Sequence, residues 1–370
     1  MTTTRLPPTP PKTLLAPYQS ADWILEHLDR SGRIVALTKG HLSLADVLLA
    51  ALRKTGPARV LLCVWGASWE ELSRLAAMRH EGSIAELTLM VPHAGDKHQG
   101  DVAQLQDMLP GDTVIQSATH AKLACVEGNG WSIAIRGSMN LYACNHAEQL
   151  DIDDGPKICA AARAYAAVPQ VRATYPKAAE EARLAARAVA DLQPGGRIFG
   201  ITDGFSLPAL VRACEAITGP ARVSVVTARL GKKEGTAFAS HPAIRFVLGQ
   251  SVVGLAKDTA RQLQQVIGAD RIRVALAHSK IVTIRNDRWH ITIRSSMNLC
   301  ANLRAEQFDI TDDPAIADQA DAWIDFIFAQ TPAGVHVANS TLGAVYRRSM
   351  NDRAAAEPEP SEGRWSRKPE

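Results

Sequence analysis

Aromatic residues make up only 5% of the chain and charged residues 21%, and the formal net charge is just +3. So small a basic excess neither announces a nucleic-acid binder nor excludes one, because placement of charge decides. No stretch approaches the about 18 uninterrupted apolar residues a membrane span needs. The start, MTTTRLPPTPPKTLLAPY, lacks the charged opening and apolar run of a secretory signal. Six cysteines (Cys63, Cys125, Cys144, Cys159, Cys214, Cys300) include no C-x-x-C pair, which argues against a disulfide framework and fits a reducing compartment. These absences predict a cytoplasmic protein without stable membrane association. What is present is ample: 370 residues at 46% hydrophobic content suffice for two cores.

Those two cores are written in the sequence as a repeat. TGPARV at Thr55–Val60 returns at Thr218–Val223. Ahead of it Gly32-Arg33-Ile34 returns as Gly196-Arg197-Ile198, and Ser43-Leu44 as Ser206-Leu207. Further on, His120–Ile152 and His278–Ile310 align without a gap, with 16 identities in 33 positions. The shared residues include Trp131/Trp289, Arg136/Arg294, Ser-Met-Asn-Leu at 138–141 and 296–299, Glu148-Gln149/Glu306-Gln307 and Asp151-Ile152/Asp309-Ile310. The chain is a tandem duplication. β-like runs at Arg33–Thr38, Arg59–Trp65, Glu86–Val91, Lys122–Val126 and Trp131–Arg136 alternate with helical spacing after Ser43. The second copy matches them from Arg197–Thr202 to Trp289–Arg294. An α/β fold follows, one mixed sheet flanked by helices per copy. The expected layout is a disordered proline-rich arm (1–18), a first lobe (19–170), a helical linker (171–195), a second lobe (196–347) and a disordered tail (348–370).

Within each copy a constellation stands out. His120 and Lys122, and likewise His278 and Lys280, are two apart on an expected strand and would leave from one face. Ser138-x-Asn140 and Ser296-x-Asn298 follow, and eight residues beyond each Asn come Glu148 and Glu306. Ammonium groups among the imidazoles do not suit a metal, so no cofactor is expected. They suit a phosphate, with Lys, Ser and Asn donating to non-bridging oxygens. Histidine then serves as nucleophile or proton donor.

H-x-K, then G/S-S-x-N, then E-Q resembles the HKD motif of the phospholipase D superfamily, present twice from about residue 30 to 312. The resemblance implies two tandem phospholipase D-like lobes related by a pseudo-twofold, with both His-Lys pairs meeting in one cleft. It also implies metal-independent phosphodiester cleavage through a phosphohistidine intermediate, with no oligomer needed to complete the site. The motif aspartate is replaced by Glu127 and Arg285, as in nuclease members of the superfamily. The expectation is therefore a nuclease acting on nucleic acid, DNA ahead of RNA. The alternatives are a phospholipase or phosphatidyl transferase, and a catalytically silent nucleic-acid-binding module. In this reading His120, Lys122, Asn140, Glu148, His278, Lys280, Asn298 and Glu306 are catalytic. His120 attacks, His278 protonates the leaving oxygen, and Glu148 and Glu306 hold the imidazoles, with Asp151 and Asp309 less favoured for that task. Ser138, Ser296, Arg136 and Arg294 would contact substrate.

Overall fold

In this computed structural model the described residues are 1–16, 18–39, 41–92, 102–142, 146–168, 176–238, 241–249, 257–301 and 304–335. The chain opens with β1 (Thr2–Leu6), β2 (Lys12–Ala16) and the short helix α1 (Ala21–Glu26). The first half continues β3 (Arg33–Lys39), α2 (Leu44–Thr55), β4 (Ala58–Cys63), α3 (Trp69–His80), β5 (Ile84–Pro92), α4 (Val102–Met108) and β6 (Thr113–Ser117). It closes with β7 (Leu123–Gly128), β8 (Trp131–Gly137), β9 (Ala147–Asp154) and α5 (Pro156–Ala166). After α6 (Ala178–Val189) the order repeats as β10 (Arg197–Thr202), α7 (Leu207–Thr218), β11 (Arg222–Thr227), α8 (Lys232–Ala237), β12 (Ile244–Gly249) and α9 (Lys257–Ile267). The last elements are β13 (Ile272–Ala275), β14 (Ile281–Arg285), β15 (His290–Ser295), β16 (Glu306–Asp312) and α10 (Pro314–Gln330).

Each half builds an eight-stranded mixed sheet, ordered β2-β3-β9-β8-β7-β4-β5-β6 and β1-β10-β16-β15-β14-β11-β12-β13. Position for position the two orders match, so the duplication in sequence is a duplication in space. One face of each sheet is closed by the helices of its own half over a large apolar core. The opposite faces carry two smaller cores that join the halves. Leu6, Cys63, Leu123, Cys159, Phe199 and Ala305 pack together in one. Leu37, Ala147, Val226, Ala277 and Trp323 pack in the other. Helices α5 and α10 reach across the seam, α5 against β1 and β10, α10 against β2.

The arm at 1–18, expected to be disordered, is a correction. It supplies the edge strand of both sheets: Thr2–Leu6 runs antiparallel to Leu6's partner strand β10, and Lys12–Ala16 runs parallel to β3. Its prolines 7, 8, 10 and 11 fall in the connector between the two strands, where the missing N–H groups cost no ladder bond. The linker helix is likewise part of the second lobe, since Ala185, Ala188 and Val189 on α6 join its core. The tail at 348–370 lies outside the described residues.

Ser43 and Ser206, at matching places in the two copies, divide their labour. Ser43 closes a full capping box with Asp46 on α2. Ser206 precedes α7, but its hydroxyl donates to Glu181 of α6 at 2.6 Å, tying that helix to its neighbour instead.

Candidate active site

The motif segments lie where the two sheets meet. His120 and Lys122 are in the extended stretch just before β7, rather than on the strand itself, which starts at Leu123. The reason is a hydrogen bond that leaves the sheet. The Lys122 N–H donates to the Gln307 side chain at 2.9 Å, while its carbonyl accepts from Gly137 N–H at 3.2 Å. The second copy does the same, Lys280 N–H donating to Gln149 Oε1 at 2.8 Å. Each glutamine uses its other end on the opposite half. Gln307 Nε2 donates to the Gly137 carbonyl at 2.9 Å and Gln149 Nε2 to the Ser295 carbonyl at 2.8 Å. Gly137 has no room for a side chain, because a Cβ there would stand 2.4 Å from the Gln149 carbonyl oxygen. Backbone bonds extend the seam, His120 N–H to the Ala305 carbonyl at 2.7 Å and His278 N–H to the Ala147 carbonyl at 2.9 Å.

The histidines are held across this seam, each by the glutamate of the other half. His120 Nδ1 lies 2.9 Å from Glu306 Oε2, and His278 Nδ1 lies 3.0 and 3.2 Å from the two oxygens of Glu148. A buried carboxylate on Nδ1 makes that atom the protonated one and leaves Nε2 as the reactive nitrogen. Nε2 of either ring has no protein partner among the described residues. Ser296 Oγ donates a very short bond to Glu306 and fixes it in turn. The imidazoles are tucked in without being sealed, with side-chain exposures of 11% for His120 and 30% for His278.

Lys122 and Lys280 are buried, and each ammonium donates one hydrogen to the carbonyl of its own motif histidine, at 2.7 and 2.5 Å. Asn140 and Asn298 are buried as well, and the side-chain oxygen of each lacks a hydrogen-bond partner among the described residues. Buried amides left unsatisfied in this way mark a place prepared for another polar group. Ser138 Oγ accepts from Gln149 N–H at 3.0 Å, and Ser296 Oγ from Gln307 N–H at 3.0 Å, so each hydroxyl is bonded within its own half to the glutamine whose side chain crosses the seam.

The charges of the two motifs act on one another across the seam. Burial lowers the pKa of His120 to about 4; Glu306 works against that, while Lys122 and Lys280 reinforce it. Burial likewise lowers His278, with Glu148 opposing and Lys280 and Lys122 assisting. Lys122 is brought down to about 7, chiefly by burial, with Glu306 opposing it and Lys280 adding to the shift. Burial tends to raise Glu306, but His120, Lys122 and Ser296 outweigh it and hold the carboxyl below its usual range. Each half thus feels the other's charges.

Arg136 and Arg294 do not face substrate, and this corrects the expectation for them. Both are buried in ion pairs across the seam. Arg136 bonds Asp309 at 2.7 Å and Asp153 at 2.6 Å, and Arg294 bonds Asp151 at 2.8 Å. Arg197 joins Asp153 and Asp309, and Arg33 lies near Asp151. Asp151 and Asp309 are therefore committed to arginines and do not hold the histidines. Trp131 sits away from the site, stacked beneath the Arg30 guanidinium at 3.7 Å, and Trp289 is buried in the second core.

Two residues beside the motifs, Trp65 and Tyr142, were not singled out by the sequence. The Trp65 ring lies 5.4 Å from that of His120, and the Arg304 guanidinium covers Trp65 at 3.8 Å. Tyr142 accepts a hydrogen bond from Asn140 Nδ2 at 3.0 Å. His146 stands beside His278, ring centres 6.5 Å apart. The only signal for Trp65 and Tyr142 was negative, since neither recurs in the second copy. Gln149 and Gln307 carried a positive one, since each follows its glutamate in both copies. Among the described residues no group of three or more His, Cys, Asp or Glu could hold a metal ion, and no helix is long and apolar enough to cross a membrane.

No protein-family model matches the sequence, and neither does any curated protein. Solved structures do match. A polyphosphate kinase from Porphyromonas gingivalis superposes over 91% of this chain with a TM-score of 0.55 at 15% identity. This chain spans 59% of that enzyme's length. The phosphatidylserine synthase of Haemophilus influenzae Rd KW20 superposes over 84% of this chain and 91% of its own, with a TM-score of 0.51 at 10% identity. The likeness is one of fold: two eight-stranded mixed sheets flanked by helices, the two-lobed phospholipase D-like fold of these neighbours.

Proposed function

We propose that this protein breaks phosphodiester bonds without a metal, by way of a phosphohistidine, and that its substrate is a nucleic acid. One observation carries the chemistry: two imidazoles from the two motif copies, each held at Nδ1 by a buried glutamate of the opposite half, beside two buried lysines. In-line displacement at phosphorus needs a nucleophile on one side and a proton donor on the other. A single imidazole cannot do both.

In the first step neutral His120 Nε2 attacks phosphorus, the bond to the leaving oxygen breaks, and His278 Nε2–H gives that oxygen its proton. In the second, His278 takes a proton from water, the hydroxide oxygen attacks, the P–N bond breaks, and both histidines return to their starting states. Lys122, Lys280, Asn140 and Asn298 would stabilise the non-bridging oxygens; each such donor is worth about 3 kcal/mol at a transition state. The low pKa of His120 supports its role as nucleophile, because it remains unprotonated at neutral pH. Nucleic acid is supported by Glu127 and Arg285 standing in place of the motif aspartate.

A phosphatidyl transfer is the second reading, favoured by the fold likeness to phosphatidylserine synthase. There an alcohol would replace water in the second step. Incubation with single-stranded DNA, RNA, plasmid and phosphatidylcholine vesicles in excess EDTA separates the two. Nucleic-acid fragments, with label trapped on histidine as acid-labile, alkali-stable phosphate, are expected. Intact nucleic acid with hydrolysed lipid would establish the second reading.

A further inference from the structure

The two halves agree at the His, Lys, Ser, Asn, Glu and Gln of the motif and disagree at several residues beside them, and the disagreement is directional. Beside His120 stands Trp65 with Arg304 laid over it, and beside Asn140 stands Tyr142. The bridge between Ala67 and Leu141 corresponds to the bridge between Leu230 and Leu299, so the two flanks can be compared residue by residue. Opposite Trp65 the second half has buried Ala228, and opposite Tyr142 it has Cys300. In a chain with 5% aromatics, one flank of the cleft has planar side chains and the other has none at those places.

Tyr142 is the most telling. Its hydroxyl is tied to the motif asparagine, so it is within one hydrogen bond of the phosphate cradle. Its ring lies against Gly66, where even a Cβ would come within 3.0 Å of a ring carbon, and is nevertheless 37% exposed. The ring is thus anchored at one end on the motif asparagine and is partly open to solvent. Trp69, 44% exposed, extends the same edge: Ser68 just before it donates to the Leu141 carbonyl at 2.9 Å. Lipid glycerol backbones and inorganic polyphosphates offer no flat ring to such a surface. Nucleobases do, and aromatic and arginine planes are what single-stranded nucleic acid stacks on.

Building on the nuclease reading above, we propose that the Trp65–Tyr142–Arg304 flank is a stacking subsite for the nucleobase next to the scissile phosphate, with Tyr142 as its platform. The substrate is then single-stranded, because a base stacked on protein has left its duplex.

The test compares kcat/KM of the full chain on two single-stranded oligonucleotides, one fully base-bearing and one with tetrahydrofuran abasic sites flanking a single cleavable linkage. The intact protein should favour the base-bearing strand by about tenfold or more, the usual worth of one stacked base. Tyr142→Leu should bring that ratio close to one. Tyr142→Phe should keep the ratio even where loss of the hydroxyl on Asn140 slows both substrates, which separates ring stacking from a general disturbance of the site. Equal cleavage of the two strands by the intact protein, or an unchanged ratio in Tyr142→Leu, overturns the subsite and leaves the nuclease reading standing. Cleavage of neither strand alongside hydrolysis of phosphatidylcholine overturns both.

Discussion

Glu148 lies in the first half of the chain, yet the geometry makes it a servant of the histidine in the second. Replacing it by glutamine keeps the volume and removes the charge. His278 Nδ1 then loses a buried carboxylate 3.0 Å away, the one group raising a pKa that burial and two lysines depress. The protonated form of His278 becomes scarcer at neutral pH, and an amide offers no fixed acceptor to choose its tautomer. A general acid contributes about 10²–10⁴-fold to such a step, or about 3–5 kcal/mol. Glu148→Gln should therefore slow cleavage of an alkoxide-leaving phosphodiester by about 10²-fold or more. A p-nitrophenyl ester needs no proton on its leaving group and should be slowed about tenfold at most. Glu306→Gln, acting on the nucleophile, should slow both substrates alike. The assay is kcat/KM on matched alkyl and nitrophenyl diesters. Equal losses on both in Glu148→Gln, or a selective loss in Glu306→Gln instead, would refute the crossed assignment.

Two further outcomes follow from buried charge. Asp153 holds Arg136 at 2.6 Å and Arg197 at 2.5 Å inside the seam, so Asp153→Asn leaves two buried guanidiniums short of a partner. It should cost about 3–5 kcal/mol in denaturant unfolding, and a loss below about 1 kcal/mol would show the network to be dispensable. The pH profile of kcat/KM has its sign set by three groups. His120 must be neutral and loses that state only below about 4, while the cradle charge on Lys122 is lost as pH rises through about 7. His278 must be protonated and its pKa is lowered, which also favours the acid side. Activity should peak between those limits and fall above neutrality; a rate constant from pH 6 to 9 contradicts this.

How much of this was written plainly in the chain depends on the distance over which each feature is decided. Strand positions and the doubled motif were legible because each is fixed by a few neighbouring residues, as with Ser43 capping its own helix three residues on. The crossing of His120 to Glu306 was not, since 186 residues separate them and a repeat is equally consistent with each histidine using its own glutamate. Arg136 shows the same limit: on a strand before a phosphate motif an arginine looks like a substrate contact, and only the approach of Asp309 from the other half makes it structural. The arm misled for a related reason. Its prolines describe the connector truthfully, but five-residue strands on either side gain their hydrogen bonds from β10 and β3, neither of which is nearby in sequence.

The crossed pattern also explains why the duplication has stayed nearly symmetric in one layer and drifted in another. Every residue that spans the seam serves the opposite half. A change in Glu306, Gln307 or Asp309 disturbs His120, Lys122 or Arg136 rather than its own repeat. Neither copy can therefore relax while the other is retained, and the motif layer is locked by mutual dependence. On the flanks Trp65 and Tyr142 bear on the first half's own motif residues, His120 and Asn140, while Arg304 and His146 reach across to Trp65 and His278. That is where Trp65 came to face Ala228, Tyr142 Cys300 and Arg304 His146. In the proposed mechanism, symmetry is held where the phosphorus chemistry needs both halves, and is broken where the proposed stacking flank would tell the two sides of the substrate apart.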